Sequence, residues 1–424
     1  MDWMLSSLAV ELLGAVLVVG AAIHLISVLW RGGVDARLAH TQHALRLQVL
    51  EQSLATAVSK RVHAELDAKG GWSGVRKFRI DRKVAENDFV TSFYLVPHDG
   101  KPLPQFKPGQ FLTFNLKLPD RPKPLVRCYS LSDGPNETGH YRISVKRLDP
   151  PPKLPDAPPG LSSNFLHRVM AAGEILDVKA PAGEFFLNLD ENRPVVLIGG
   201  GVGITPVFSM IKAACAAGFS QELWFFSGAR FGSDQIFKDE LRAFDAAHDN
   251  VHLRLCYNEP TDRESLGRDF HHHGHVSVEL FKALLPSNNY VFYICGPPPM
   301  MAALTKDLAA WGVPPGDIRM EAFGPASVKK TERQPPAADA PCLSVEFAHS
   351  GKTVQWGNAD SVLELAEANG IVIDSGCRAG NCGTCVTAIR SGEVEYPSPP
   401  AATPDAGSCL PCVARPKSNL VLDA

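Results

Sequence analysis

The sequence predicts a multidomain chain: a single transmembrane helix with a helical stalk, an antiparallel β-barrel, a parallel α/β domain and a small cysteine-rich C-terminal domain. Three observations predict this order. An apolar run opens the chain, short alternating strands then give way to apolar strands separated by helical segments, and half of the ten cysteines follow residue 376. A chain of 424 residues has room for about three domains.

The composition is that of a globular protein, with 45% hydrophobic and 21% charged residues. Lysine and arginine number 42 against 45 acidic residues, so the net charge of −3 gives no electrostatic reason to bind nucleic acid. Ten cysteines are few for a disulfide framework of this length, and their clustering at the C-terminus favours a metal site in a reducing compartment.

The apolar run over residues 4–30 predicts a membrane span, with Glu11 and His24 as its only ionisable side chains. As a helix it is about 40 Å long, against a hydrocarbon core of about 30 Å. Arg31 and Arg37 follow the run, which places the remaining chain in the cytoplasm. We expect a single-pass helix over 1–33 in the inner (cytoplasmic) membrane; a buried globular helix is the alternative.

Leucines and valines spaced three or four apart predict a helical stalk over 34–72, which Gly70 and Gly71 interrupt. Its apolar stripe is expected to pack on the domain that follows it, on another protein or in a coiled coil. Alternating runs at 89–96 and 110–116 predict a β-barrel over 74–190. The proline-rich stretch 149–160 resists regular structure and is expected to be a surface insertion.

Apolar strands at 195–198, 223–226 and 291–294, alternating with helical segments, predict a parallel α/β domain over 191–324. A linker is expected over 325–341 and a last domain over 342–424.

A glycine loop between the first of these strands and a helix near residue 207 favours a phosphate-binding turn; a purely structural turn is the alternative. The residues expected to contact a nucleotide are Gly200, Gly201, Gly203, Thr205 and Pro206. Cys295, Gly296 and Pro297 end another apolar strand, where α/β domains bind ligands.

Together with the Arg-Cys-Tyr-Ser motif at 127–130, these motifs closely resemble the ferredoxin-NADP reductase superfamily over roughly residues 75–325. The resemblance implies an NAD(P)H-dependent oxidoreductase in which Arg127 meets the flavin phosphate, Tyr129 packs on the flavin ring and Ser130 lies near its reacting nitrogen. A cation suits a phosphate, an aromatic side chain suits a planar ring, and a hydroxyl suits the place where a proton and a hydride meet. Strand residues Val145 and Lys146 resemble the next flavin-lining segment.

The Gly160 to Ser163 segment is similar to the helix start that caps the FAD pyrophosphate in this superfamily, so FAD is preferred over FMN. Ordinary N-capping is the alternative for Ser162 and Ser163. Phe323 resembles the aromatic residue that covers the flavin, with core packing as its alternative. Ser130, Cys295 and Phe323 are the expected catalytic residues. Arg230 would suit the 2′-phosphate of NADPH, but its segment resembles that of NADH users, so we expect NADH.

The spacing Cys377-x4-Cys382-x2-Cys385, followed by Cys412, resembles a plant-type [2Fe-2S] ferredoxin domain of α+β (β-grasp) fold. Two Cys-x2-Cys pairs, the second of them Cys409 with Cys412, also suit a tetrahedral zinc. The resemblance favours Cys412 as the fourth cluster ligand. The histidines at 271–275 are expected to form a solvated loop rather than a metal site.

We therefore expect a membrane-anchored reductase that passes electrons from NADH through FAD and [2Fe-2S] to a separate protein acceptor. The C-terminal placement of the ferredoxin domain resembles reductase components of bacterial oxygenases, so we expect the acceptor to be a membrane-bound oxygenase or hydroxylase. The sequence shows no oxygen-activating His/carboxylate set, so this oxygenase is expected to be a separate protein. A reductase of quinone or another respiratory acceptor, and a non-enzymatic membrane tether with a zinc-stabilised tail, are the alternatives.

Overall fold

The computed structural model describes residues 72, 74–119, 121, 124–137, 139–150, 154–323, 343–357, 359–397, 400, 402 and 404–424. The expected membrane helix over 1–33, the stalk before Trp72 and the linker over 325–341 lie outside these residues. No helix within the described ranges combines the length and the apolar character needed to cross a bilayer.

The first domain is a six-stranded antiparallel sheet in the order β4-β3-β6-β1-β2-β5. Its strands are β1 Val75–Ala85, β2 Val90–Pro97, β3 Phe111–Leu116, β4 Leu125–Ser130, β5 Tyr141–Lys146 and β6 Ile175–Ala182. A bridge between Leu131 and Ile143 brings the two edge strands together and closes the sheet towards a barrel. Inward alternating side chains such as Phe78, Phe93 and Phe114 are fully buried in its core.

One helix, α1 (Leu161–Arg168), lies between β5 and β6. Trp72, at the end of the expected stalk, donates its indole N–H to the Val178 carbonyl at 3.0 Å and packs on Phe78. Residues 154–160 form turns without a helix or strand, as the prolines of this stretch predict.

The second domain is a six-stranded parallel sheet in the order β10-β9-β8-β7-β11-β12. Its strands are β7 Val195–Gly200, β8 Leu223–Ala229, β9 Val251–Tyr257, β10 His272–His273, β11 Val291–Cys295 and β12 Ile318–Glu321. Its helices are α2 Ile204–Ala216, α3 Lys238–Ala247, α4 Val278–Leu284 and α5 Pro298–Ala310. Buried apolar clusters cover both faces of the sheet, as in doubly wound domains.

Asp133 fixes the barrel against the parallel domain. Its carboxylate pairs with Lys212 of α2, and Arg142 approaches it to 3.7 Å. The Ser209 hydroxyl of α2 donates to the Asp133 carbonyl at 2.7 Å. Burial opposes ionisation of this carboxyl, but its hydrogen bond with His140, together with Arg142 and Lys212, holds the pKa of Asp133 well below its usual range. A buried carboxylate with this many partners sets one orientation of the two domains.

The third domain has a mixed sheet in the order β14-β13-β19-β15-β17, a two-stranded β16-β18 ribbon and one helix, α6 (Val362–Ala368). Its strands are β13 Ser344–Phe347, β14 Lys352–Gln355, β15 Thr387–Ser391, β16 Val394–Glu395, β17 Ser408–Cys409, β18 Arg415–Pro416 and β19 Leu420–Leu422. Ser361 caps α6 by accepting the Glu364 N–H at 3.2 Å. The fold is the expected α+β arrangement.

Candidate active site

Strand β4 carries the Arg-Cys-Tyr-Ser motif, and strand alternation divides the motif between two faces. Arg127 and Tyr129 share one face, while Cys128 and Ser130 share the other. The Tyr129 ring packs edge-on against Phe114, with centroids 5.6 Å apart. Burial raises the pKa of Tyr129 to about 12, so the phenol is neutral and offers an aromatic surface to a planar ring.

The helix start at Gly160 lies next to this aromatic surface. Gly160 caps α1, and a Cβ there would come within 2.8 Å of Leu148, so only glycine fits. The neighbouring Ser162 side chain partly offsets the burial that raises the pKa of Tyr129. Ser163 is instead buried and accepts the Leu148 N–H at 3.1 Å. Of the two predicted serines, Ser162 faces β4, which we call the flavin strand. Ser163 instead joins the preceding loop to the helix through its hydrogen bond with Leu148.

Arg127 is a half-buried cation on the same face as Tyr129. Its Nη1 donates to the Val126 carbonyl at 2.7 Å, and burial lowers the pKa of its guanidinium, which still remains charged at neutral pH. A guanidinium has five N–H donors, so it can also hold a phosphate oxygen. This cation, the open N-terminus of α1 and the neutral tyrosine suit the phosphate and ring of FAD.

The opposite face of β4 meets the end of the parallel sheet. Ser130 Oγ donates to Glu321 Oε2 at 3.4 Å, a long and weak hydrogen bond. Glu321 is the register partner of Cys295 on β11. Burial raises the pKa of Glu321 to about 8, and burial also raises the pKa of the Cys295 thiol. Two predicted catalytic residues therefore converge on a buried, protonated carboxyl group.

Glu321 was not predicted as a site residue. The sequence places it at the C-terminal end of a parallel strand, where α/β domains bind ligands, and two residues before Phe323. This position at a strand end is the sequence feature that could have identified Glu321 as a site residue. Phe323 ends the described part of this segment, and 37% of its surface is exposed, so its ring is not part of a packed core.

A cavity of about 590 Å³ lies at the carboxyl edge of the parallel sheet and opens towards the barrel. Its volume is typical of a ligand pocket. The predicted residues that line it are Lys146, Gly200, Gly201, Arg230 and Pro297. Gly201 adopts a φ of +54° with open space beside it, so the loop presents its backbone to the cavity. This cavity fits a dinucleotide whose phosphates meet the N-terminal end of α2.

Four predicted residues lie behind the wall of this cavity rather than in its lining. A Cβ on Gly203 would lie 2.5 Å from the Cys295 carbonyl oxygen, so this glycine lets the loop pack on β11. Thr205 donates its hydroxyl to the Val202 carbonyl at 3.0 Å, and Pro206 is buried in α2. Gly296 likewise packs closely on Gly200. These residues shape the loop that the nucleotide would contact.

Arg230 is engaged by an acidic neighbour. Its Nε lies 2.6 Å from Asp234 Oδ2, and Glu259 lines the same part of the cavity. Two carboxylates beside one guanidinium leave no net positive charge for a 2′-phosphate. This part of the cavity therefore suits the ribose 2′-hydroxyl of NADH.

Val145 lies in the barrel core, so its side chain does not face a cofactor, and its carbonyl accepts a hydrogen bond from His167 at 2.8 Å. The histidine tract is more ordered than predicted. His272 and His273 form β10 and pair with β9, because the adjacent His271 is held to that strand by accepting the Leu255 N–H at 2.9 Å. His275 lines the nucleotide cavity. His272 and His273 thus belong to a short strand rather than to a loop, whereas the exposure of His273 and His275 agrees with the expected solvated segment.

The four predicted cluster ligands form two thiol pairs. Cys385 and Cys412 have Sγ atoms 3.2 Å apart, and the Cys377 backbone N–H lies 3.2 Å from Cys382 Sγ. In the described ranges, no three His, Cys, Asp or Glu side chains converge as ligands of a single ion would. A [2Fe-2S] cluster requires two thiolate ligands for each of its two irons. Cys409 is fully buried on β17, where burial raises its pKa to about 12.

The loop around the first pair directs backbone N–H groups at sulfur. The N–H groups of Ala379 and Asn381 donate to Cys377 Sγ at 3.4 and 3.3 Å, and the Cys377 N–H donates to Cys382 Sγ at 3.2 Å. A Cβ on Gly376 would lie 2.8 Å from Cys382 Sγ. This close wrapping requires glycine, and donors aimed at sulfur stabilise coordinated thiolates. The residues fit a [2Fe-2S] cluster.

The cluster loop lies directly against the flavin strand. The same Cβ on Gly376 would lie 3.2 Å from Val126 of β4. Asn381 donates its side-chain amide to the Ala322 carbonyl at 3.3 Å, next to Glu321. A cavity of about 470 Å³ follows this junction, with Arg127 and Arg378 among its lining residues. The cluster loop thus contacts both β4 and the segment around Glu321. We call the place where Ser130 meets Glu321 the reacting corner.

Comparisons with known proteins agree with this geometry. Residues 80–187 match the family model of the oxidoreductase FAD-binding domain, 197–306 that of the oxidoreductase NAD-binding domain and 345–417 that of the 2Fe-2S iron-sulfur cluster binding domain. The FAD/NAD-binding domain of nitric oxide dioxygenase from Vibrio cholerae is 32% identical with a TM-score of 0.52; the match covers 59% of this chain and all of that one. The chain belongs to the ferredoxin-NADP reductase superfamily.

Phthalate dioxygenase reductase is similar to this chain over most of its length. It is 25% identical with a TM-score of 0.52, and the match covers 85% of this chain and 99% of that one. A flavohemoprotein from Halalkalibacterium halodurans is 38% identical over 63% of this chain and 65% of its own length. The chain therefore spans less than two thirds of the curated relatives that it matches. It is an NAD(P)H-dependent oxidoreductase whose cofactors are FAD, [2Fe-2S] and NADH.

Proposed function

We propose that this chain is the membrane-anchored reductase component of an oxygenase system. NADH supplies electrons, FAD and [2Fe-2S] relay them within the chain, and a separate membrane-bound oxygenase or hydroxylase receives them. The observation that carries the proposal is the contact between the flavin strand and the cluster loop at Gly376 and Val126. Because both redox sites share one junction, electrons can pass between them without a second protein.

The side chains of the site divide the work. Arg127 and the N-terminus of α1 bind phosphate, and Tyr129 orients the flavin ring. Gly200 and Gly201 place the nucleotide phosphates at α2. When bound, FAD accepts a hydride from NADH and releases single electrons, and [2Fe-2S] accepts one of them at a time.

Glu321 holds a proton at neutral pH, because its pKa is about 8. The protonated carboxyl can donate to Ser130 Oγ, which leaves the Ser130 hydroxyl proton free to point towards the flavin. When Glu321 is ionised, Ser130 donates to the carboxylate instead. The pair therefore controls whether a hydrogen-bond donor faces the reacting ring.

The choice of acceptor rests on the similarity to phthalate dioxygenase reductase, whose name identifies it as the reductase of a dioxygenase. The anchor rests on the sequence, because residues 4–30 form one apolar run. A tether raises the effective concentration of its partner to about the mM range when the linker suits the distance. Membrane anchoring would thus favour an acceptor in the same bilayer.

Deletion of residues 1–70 tests this proposal. We expect the shortened protein to be soluble, to keep NADH-dependent ferricyanide reduction and to lose most transfer to the membrane acceptor at dilute enzyme, compared with the full chain in the same membranes. Undiminished turnover of the membrane acceptor would contradict the anchoring role. Loss of ferricyanide activity would instead show that the first seventy residues belong to the reductase itself.

A further inference from the structure

Cys128 is a thiol that the proposed relay does not yet use. It is the variable residue of the Arg-Cys-Tyr-Ser motif, between the two residues that face the flavin. Strand alternation turns it to the opposite face of β4, together with Val126 and Ser130. The half-buried side chain therefore points away from Arg127 and Tyr129 and towards the third domain.

Three observations place this thiol near the cluster loop. Cys128 is the register partner of Thr113 on β3, and Cys128 Sγ lies 3.5 Å from the Thr113 hydroxyl oxygen. On its other side the neighbouring Cys382 is the main cause of the raised pKa of the Cys128 thiol, and a Cβ on Gly376 would lie 2.8 Å from Cys382 Sγ. Val126, two residues earlier on the same face, meets the cluster loop at Gly376. The strand therefore holds the Cys128 thiol against a predicted cluster ligand.

We propose that the Cys128 S–H donates a hydrogen bond to Cys382 Sγ and thereby raises the reduction potential of the [2Fe-2S] cluster. The inference rests on the proposed ligand set, in which Cys382 is a thiolate and can only accept. Thr113 then donates its hydroxyl proton to Cys128 Sγ, which completes a chain of donors directed at the cluster.

The direction of the effect follows from charge. The cluster gains one electron from the flavin without any bond being formed or broken, so negative charge on its sulfur ligands increases. A hydrogen bond to a ligand sulfur stabilises that additional charge, and such bonds are among the factors that set cluster potentials. A donor supplied by the flavin strand would thus favour arrival of the electron from the neighbouring FAD.

Redox titration of the full-length holoprotein, followed by the EPR signal of the reduced cluster, tests this role. We expect Cys128→Ala to lower the midpoint potential by about 59 mV, a tenfold loss in the equilibrium constant of a one-electron couple. Cys128→Ser retains a donor and should stay at or above the wild-type potential. Thr113→Val should cause a smaller shift downwards, and the control Cys215→Ala, in the second domain, should cause none.

Pulsed EPR in H₂O and D₂O supplies a readout independent of activity. The wild-type reduced cluster should show an exchangeable proton coupling that Cys128→Ala lacks. An unchanged potential and proton coupling in Cys128→Ala with a full cluster would overturn the inference, as would equal shifts in the alanine and serine variants, which indicate packing alone. A wild-type protein that assembles no [2Fe-2S] cluster would instead overturn the proposed function.

Discussion

The buried Glu321 makes a quantitative prediction about pH. Its pKa is raised from 4.5 to about 8, which corresponds to about 5 kcal/mol against placing its charge in this corner. The protonated fraction therefore falls from nearly complete at pH 6 to about one tenth at pH 9. If only the protonated carboxyl leaves Ser130 free to donate towards the flavin, the rate constant of flavin reduction by NADH should fall about tenfold over this range.

Anaerobic stopped-flow measurement of flavin bleaching by saturating NADH provides the assay. Glu321→Gln is the matched control, because its amide N–H donates to Ser130 at every pH and should give a flat profile near the low-pH rate of the wild type. A wild-type profile without an inflection between pH 7 and pH 9 would refute the reasoning. An inflection retained in Glu321→Gln would assign the titration to another group.

Three further predictions concern the cluster, the glycine loop and the nucleotide. Cys412→Ser should lose or severely perturb the cluster, measured by iron content and visible absorbance, whereas Cys409→Ser should keep it; the reverse result would make Cys409 the ligand. Gly203→Ala should raise the KM for NADH and lower the melting temperature, because its Cβ meets the Cys295 carbonyl. Gly201→Ala is the control, because it adds only the strain of its positive φ, about 1 to 2 kcal/mol. Equal effects of the two substitutions would contradict this difference. Asp234→Asn should release Arg230 and lower the NADH/NADPH ratio of kcat/KM about tenfold, and an unchanged ratio would remove this ion pair from cofactor selection.

Local patterns predicted the strands well, because their apolar runs are continuous in the sequence. The second sheet has its first strand at Val195–Gly200, where an apolar run from residue 195 was predicted. The reacting corner depends instead on pairing between distant segments. Glu321 meets Ser130, 191 residues away, only because β12 joins the edge of the parallel sheet and that edge faces β4. Neither strand by itself reveals that contact.

The glycines show a similar limit. The spacing of the loop indicated phosphate binding, yet it could not separate Gly201, which borders the cavity, from Gly203, which packs on β11. That distinction depends on the backbone path of a neighbouring strand. The thiol pairs were easier to predict, because a metal cluster requires several ligands whose spacing is visible in the sequence.

The most direct test of the central claim is whether electrons pass from flavin to cluster within one chain. Rapid mixing of the holoprotein with NADH under anaerobic conditions, with freeze-quench EPR of the cluster, measures this step. We predict a cluster reduction rate that is independent of protein concentration and a reduced-cluster signal that approaches one per chain. A rate proportional to protein concentration would show transfer between molecules and would contradict the account.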